Sequence, residues 1–171
     1  MKPILFIFCF VLSVYSSYSQ IPPPGSERYN PELDKYVGTW QWSTSTETII
    51  FQLKKVHYLS KSQITEDILM GSHKYIKNGV VIDDYLPVFN QVGQTKKGSL
   101  FIWLDWHHPK PDTLDGMLAD PLKKKSQHID VIYVAGAIPQ LLCTVYSSEG
   151  MIFPPTLPGV TLPENFTLIK Q

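Results

Sequence analysis

Asp105-Trp106-His107-His108-Pro109-Lys110-Pro111-Asp112-Thr113-Leu114-Asp115 is the densest run of side chains able to hold a metal or move a proton. A catalytic zinc needs three protein ligands and one open position. Asp105, His107 and His108 are the residues here that could form such a set for a metal-assisted hydrolase. Neighbouring residues on a strand point to opposite faces, so His107 and His108 ligate together only where the backbone bends. The plainer alternative is a polar loop, and no metal or other cofactor is expected. No His-Glu-x-x-His or paired-Cys spacing accompanies the run.

Other chemistry leaves no mark. There is no Gly-x-Ser-x-Gly elbow and no Gly-rich phosphate loop, so no catalytic residue is assigned and an enzyme is the weaker reading. Cys143 lies in the apolar stretch Leu141–Val145 and reads as a buried, inert thiol. The aromatic set Trp40, Trp42, Phe51, Trp103 and Trp106 either lines a ligand cavity or forms an ordinary core. Trp103, Trp106, His107 and His108 are therefore the candidate ligand-binding residues. Trp103 and Trp106 fall on alternate faces, so only one of them looks inward.

These residues need a scaffold, and 171 residues support one domain with a core. Lys2, the apolar run Ile4–Leu12 and the small residues around Ser17 and Ser19 predict a signal peptide over 1–19, cut before Gln20. The apolar run is shorter than the ~20 residues that span a bilayer. No Cys stands at the cut, so the product is expected to be soluble, periplasmic or extracellular, without stable membrane insertion. Loss of Lys2 from 15 basic against 15 acidic residues leaves a net charge of about −1. Nucleic acid is not an expected partner. The Pro-rich segment 20–29 reads as a spacer, and 30–171 as the domain.

The domain reads as all-β. Asn30 caps a helical turn with Pro31 at its start, and Gly38 ends it. Trp40 and Trp42 then share one face of a strand. Glu47–Lys55 alternates as a half-buried strand. Asp67–Lys77 is another strand, with Gly71 expected as a bulge or bend. Asn78-Gly79 predicts a two-residue hairpin turn. Ser99–Trp106 is apolar on both faces, as a central strand would be. His107–Lys125 reads as the longest irregular segment, with a short helix at 113–118. Strands follow at 129–134, 140–146 and 166–170. About eight strands with hairpin turns predict an antiparallel up-and-down β-barrel, with a β-sandwich as the alternative.

The helical turn followed by Gly38-Thr39-Trp40 resembles the opening of lipocalin and calycin barrels. That resemblance implies that the turn plugs one end. It also implies that Trp40 packs against a basic residue of the last strand, here Lys170, where the superfamily more often has Arg. Three further stretches resemble one family more closely: Leu33–Trp40, Gly71–Gly79, and Leu162–Asn165 with the Lys170-Gln171 ending. This is a family of secreted bacterial proteins known as domain of unknown function 6705. The resemblance implies small exported proteins and no activity. Relatives often carry a lipid-attachment Cys in the signal, which this chain lacks.

Two functions from different classes follow. One is a binding module that takes a small apolar or amphipathic ligand at the barrel mouth opposite the plug, with His107–Lys125 reaching over it. The other is an envelope protein–protein interaction module with a filled core.

Overall fold

The computed structural model describes residues 22–93, 95–104, 112–147 and 156–171. Strands β1 (Glu27–Arg28), β2 (Gly38–Ser43), β3 (Glu47–Leu59), β4 (Thr65–Lys77) and β5 (Val80–Asp84) make the first half. Strands β6 (Leu100–Trp103), β7 (Thr113–Asp120), β8 (Lys125–Val134), β9 (Gln140–Tyr146) and β10 (Asn165–Lys170) make the second. Each of β2, β3, β4, β6, β7, β8, β9 and β10 pairs antiparallel with the next, and β10 returns to β2. The result is the expected closed up-and-down barrel, with β1 and β5 as additions on β4.

Strand β4 is long enough to use one edge three times. Beside it lie β1 at Thr65–Glu66, β6 at Leu69–Gly71 and β5 at Lys74–Lys77. The ladder along that edge is therefore interrupted at Ser72 and His73. Gly71 stays in register with both neighbours and is not a bulge. It is required because a Cβ there would lie 2.3 Å from the Gln52 carbonyl oxygen. The register shift falls instead between Tyr75 and Ile76, against β5. Asn78 and Gly79 both have positive φ, at 51° and 76°, as a type I′ turn needs.

Two segments differ from expectation. Thr113–Asp120 is a strand, neither irregular nor helical. It alternates strictly, with Leu114, Gly116, Leu118 and Asp120 facing in; a glycine and an aspartate among the inward positions hide the period of two. The expected spacer is docked from Gly25 onward. Gly25 donates to Gln63 O at 2.7 Å, and β1 pairs in parallel with β4.

Among the described residues the barrel interior is packed. Trp40, Ile49, Phe51, Leu69, Ile102 and Leu168 are all 0% exposed and belong to one packed cluster. An internal cavity would leave its lining with surface that a water could touch. The 3-10 turn Pro31–Tyr36 closes one end with Leu33 and Tyr36, and Asn30 Oδ1 accepts the Glu32 N–H at 3.1 Å. The other end is covered by residues 156–164. Buried Asp120 accepts from Thr161 N at 2.9 Å, Thr161 Oγ1 at 2.6 Å and Gln127 Nε2 at 2.9 Å. Gln127 also donates to the Gly159 carbonyl at 3.0 Å. Three of these hydrogen bonds hold the loop, which seats Leu162 on the core.

Candidate functional site

At the plugged end, Trp40 Nε1 donates to Tyr36 O at 2.8 Å, so the indole is both buried and satisfied. Lys170 Nζ stands 5.2 Å from the Trp40 ring centroid and donates to Lys35 O at 3.4 Å. Tyr133 sets its edge against both Tyr36 and Trp40. Tyr36 donates to the Asp112 carbonyl, and Lys35 pairs with the Asp112 carboxylate. Burial, with the Asp112 charge second, pushes the Tyr36 hydroxyl well above its usual range. Every polar group named here has a partner, which makes this end a closed structural device.

Asp112, which directly precedes β7, is held at the plugged end by Tyr36 and Lys35. The sequence reading carried the His107–Lys125 segment over the opposite mouth; of that segment, Thr113–Asp120 is β7 and only the turn at 121–124 lies at the end away from the plug, while residues 107–111 lie outside the described residues.

The interruption on the β4 edge is occupied by a trio, buried Ser99 and His73 with partly buried Asp83. Ser99 Oγ accepts the His73 N–H at 2.9 Å and lies 2.7 Å from His73 Nδ1. Ser99 Oγ and His73 Nδ1 share one proton, and Nε2 faces Asp83 Oδ2 at 3.3 Å. That contact is in ion-pair range but off-line for a hydrogen bond. Tyr85 N donates to His73 O at 2.8 Å. The order Ser–His–Asp is that of a nucleophile relay. Here the imidazole is 0% and Ser99 3% exposed, so the pair sits within the packed wall. Ser99 Oγ supplies the partner that His73 N–H lacks in the broken ladder, Tyr85 N supplies the one for His73 O, and together they tie β4 to the segments following β5 and preceding β6. Nothing in the sequence marks these three residues as a set.

Of the residues expected at a ligand site, Trp103 lies on the outer wall. It packs with Phe101 and Tyr58 against a second cluster of Ile68, Met70 and Val92. The inward positions of β6 are Leu100 and Ile102, and Leu104 also packs on the main core. Asp105, Trp106, His107 and His108 lie outside the described residues. Among the described residues, no group of three His, Cys, Asp or Glu side chains is gathered as a metal site. Cys143 is buried in the main core, and burial pushes its thiol far above the usual range, so it is no ready nucleophile.

Two grooves open on the wall. One, of about 260 Å³, lies over β4, β6 and β7. Tyr58, Met70, Phe101 and Met117 form its apolar side, with Lys97 and Ser126 at its polar side. The other, of about 570 Å³, lies over β8, β9 and β10 and reaches Trp42 of β2. Sequence periodicity could show these residues as alternating, but not which strands stand side by side.

The chain belongs to a family of unknown function, DUF6705, whose model matches residues 1–171. No curated protein and no solved structure matches it. No helix among the described residues is long and apolar enough to cross a membrane.

Proposed function

We propose that this member of a family without an assigned activity is an exported binding module for a small amphipathic ligand, held on the barrel wall. The observation that carries the reading is the groove of about 260 Å³ flanked by Tyr58, Met70, Phe101 and Met117. The outer face of a barrel is ordinarily polar, and here residues 86–92 cover only part of an aromatic cluster. Tyr58 meets Phe101 edge-on at 5.4 Å, and Phe101 meets Trp103 at 5.6 Å. Two methionines make that surface adaptable to different chain shapes. Lys97 is the one charged side chain among the described lining, so an anionic head with an apolar tail fits best. The signal-like opening at Lys2 and Ile4–Leu12 supports export.

Titration with decanoate and with decanol, read by tryptophan fluorescence, tests the reading. The expected result is a saturable change for decanoate, weakened at least tenfold by Lys97→Glu and by Phe101→Ala, and unaffected by Trp42→Phe. Absence of any saturable response would favour the interaction module instead. That second reading rests on its own observation: Ile132, Val134, Leu142 and Ile169 are all exposed on the outer face of β8–β10.

A further inference from the structure

Strands β10 and β2 pair only at Ile169–Gln41 and Lys170–Trp40. Both continue beyond that point, β2 to Ser43 and β10 back to Asn165, without pairing further. The barrel is closed at its plugged end and parted along this seam. The rings of Trp42 and Phe166 stand in the gap, 6.1 Å apart and tilted by 45°. Trp42 is half-buried, so part of its indole faces the groove of about 570 Å³ that opens there. That volume falls in the ~300–1,000 Å³ range of small-ligand sites.

The opposite side of the groove carries one polar row by register, beside the exposed Ile132 and Leu142 of the next row. Asp130, Thr144 and Asn165 are cross-strand neighbours on β8, β9 and β10, all on the outer face. Their mutual contacts fix what remains for a ligand. Tyr146 donates to Asp130 Oδ1 at 3.2 Å, which leaves Oδ2 as an acceptor. Thr144 Oγ1 donates to Asn165 Oδ1 at 3.1 Å, which leaves the Asn165 amide protons as donors. Thr167 adds a hydroxyl in the next row. No cationic side chain belongs to the described lining, and the Asp130 carboxylate disfavours an anion.

We propose that this seam groove is a second binding site, separate from the groove beside Trp103, and that it takes a neutral saccharide. A sugar ring has an apolar C–H face and a rim of hydroxyls that both donate and accept. The indole of Trp42 receives the face. The free oxygen of Asp130 accepts from one hydroxyl, and the Asn165 amide donates to another. An apolar tail would leave these polar groups unpaired, and an anion would meet the carboxylate.

Calorimetric titration of the full chain with the linear hexasaccharides of glucose, N-acetylglucosamine and mannose tests the site. At least one should bind saturably, with Asp130→Ala and Trp42→Ala each weakening it tenfold or more. Trp42→Phe, which keeps an aromatic ring, should weaken it less than Trp42→Ala. Lys97→Glu should leave it unchanged, which separates this site from the amphiphile groove. Circular dichroism checks that each variant is folded. No saturable heat from any of the three sugars, or equal affinity in Asp130→Ala, would overturn the proposal.

Discussion

Among the described residues, two interruptions of the strand ladder are treated in opposite ways. On the β4 edge, between β6 and β5, the gap is filled by Ser99, His73 and Asp83, and the imidazole is 0% exposed. At the β2–β10 seam, pairing stops after two residue pairs and no comparable side-chain network spans the gap among the described residues. Trp40 and Trp42 show the contrast within one strand. They share a face, yet Trp40 is fully buried with its N–H bonded, while Trp42 is half-buried beside a groove. A broken ladder leaves backbone groups that need partners. At the β4 edge Ser99 Oγ supplies such a partner inside the core; at the seam the break opens on the groove of about 570 Å³.

The largest test of this contrast is Trp40→Ala. It removes the anchor that ends the open seam, and should destabilise the fold by ~3–5 kcal/mol, the range for truncating a buried aromatic. Urea melts check it, and a loss below ~1 kcal/mol would mean that Lys170 and Tyr36 close the barrel without the indole.

Ser99→Ala should rank next. It strips the His73 N–H and Nδ1 of their partner in a buried setting, at a cost of about 1–3 kcal/mol. The matched change at the open break, Trp42→Ala, should cost about 1 kcal/mol, since water already reaches that ring. Equal losses in the two melts would remove the distinction between closed and open breaks.

Gly79→Val probes the hairpin that brings Asp83 to the trio. Gly79 has φ +76°, a region that L side chains enter at a cost of ~1–2 kcal/mol. Nothing lies within 4 Å of its missing Cβ, so backbone strain alone is expected to lower the melting temperature. An unchanged melting temperature would show that the hairpin does not support the closed break.

The smallest effect expected is a pH dependence at the closed end. Burial works to raise the Asp67 carboxyl, but the Asn30 N–H, His57 and Lys55 outweigh it and hold the group below its usual value. A carboxyl depressed on folding stabilises above its unfolded pKa of ~3.9, and the gain is lost as pH falls through the lower folded value. Melts of the native chain and Asp67→Asn should therefore differ most near neutral pH and converge in strong acid. A gap that is constant down to pH 2 would show that the Asp67 charge contributes nothing.

Some of this was legible before any coordinates, and the readable part was local. Asn78-Gly79 marks its own turn, because both residues tolerate positive φ. Asn30-Pro31 and Gly38 mark the plug for similar reasons. The failures were also physical. Gly71 signals a bulge when read alone, whereas its lack of a side chain serves the approach of Gln52, which is 19 positions earlier in the chain. Gly116 conceals the alternation of β7 because a glycine in an inward position reads as polar or as a break. Trp103 was ambiguous because both faces of β6 are apolar: one meets the barrel core and the other a covered outer cluster.

By itself, the sequence determined the antiparallel barrel class, the helical plug before Gly38 and the hairpin at Asn78-Gly79. Each rests on short-range periodicity or on the φ preferences of single residues. Tertiary structure alone decided that the described core residues pack into one cluster, that Trp103 faces outward, and that Asp112 is held at the plugged end. It alone placed Asp130 beside Thr144 and Asn165, and Ser99 beside His73. Those neighbours are set by strand register and barrel closure, which depend on how all eight strands pack together. No single stretch of the chain encodes that packing.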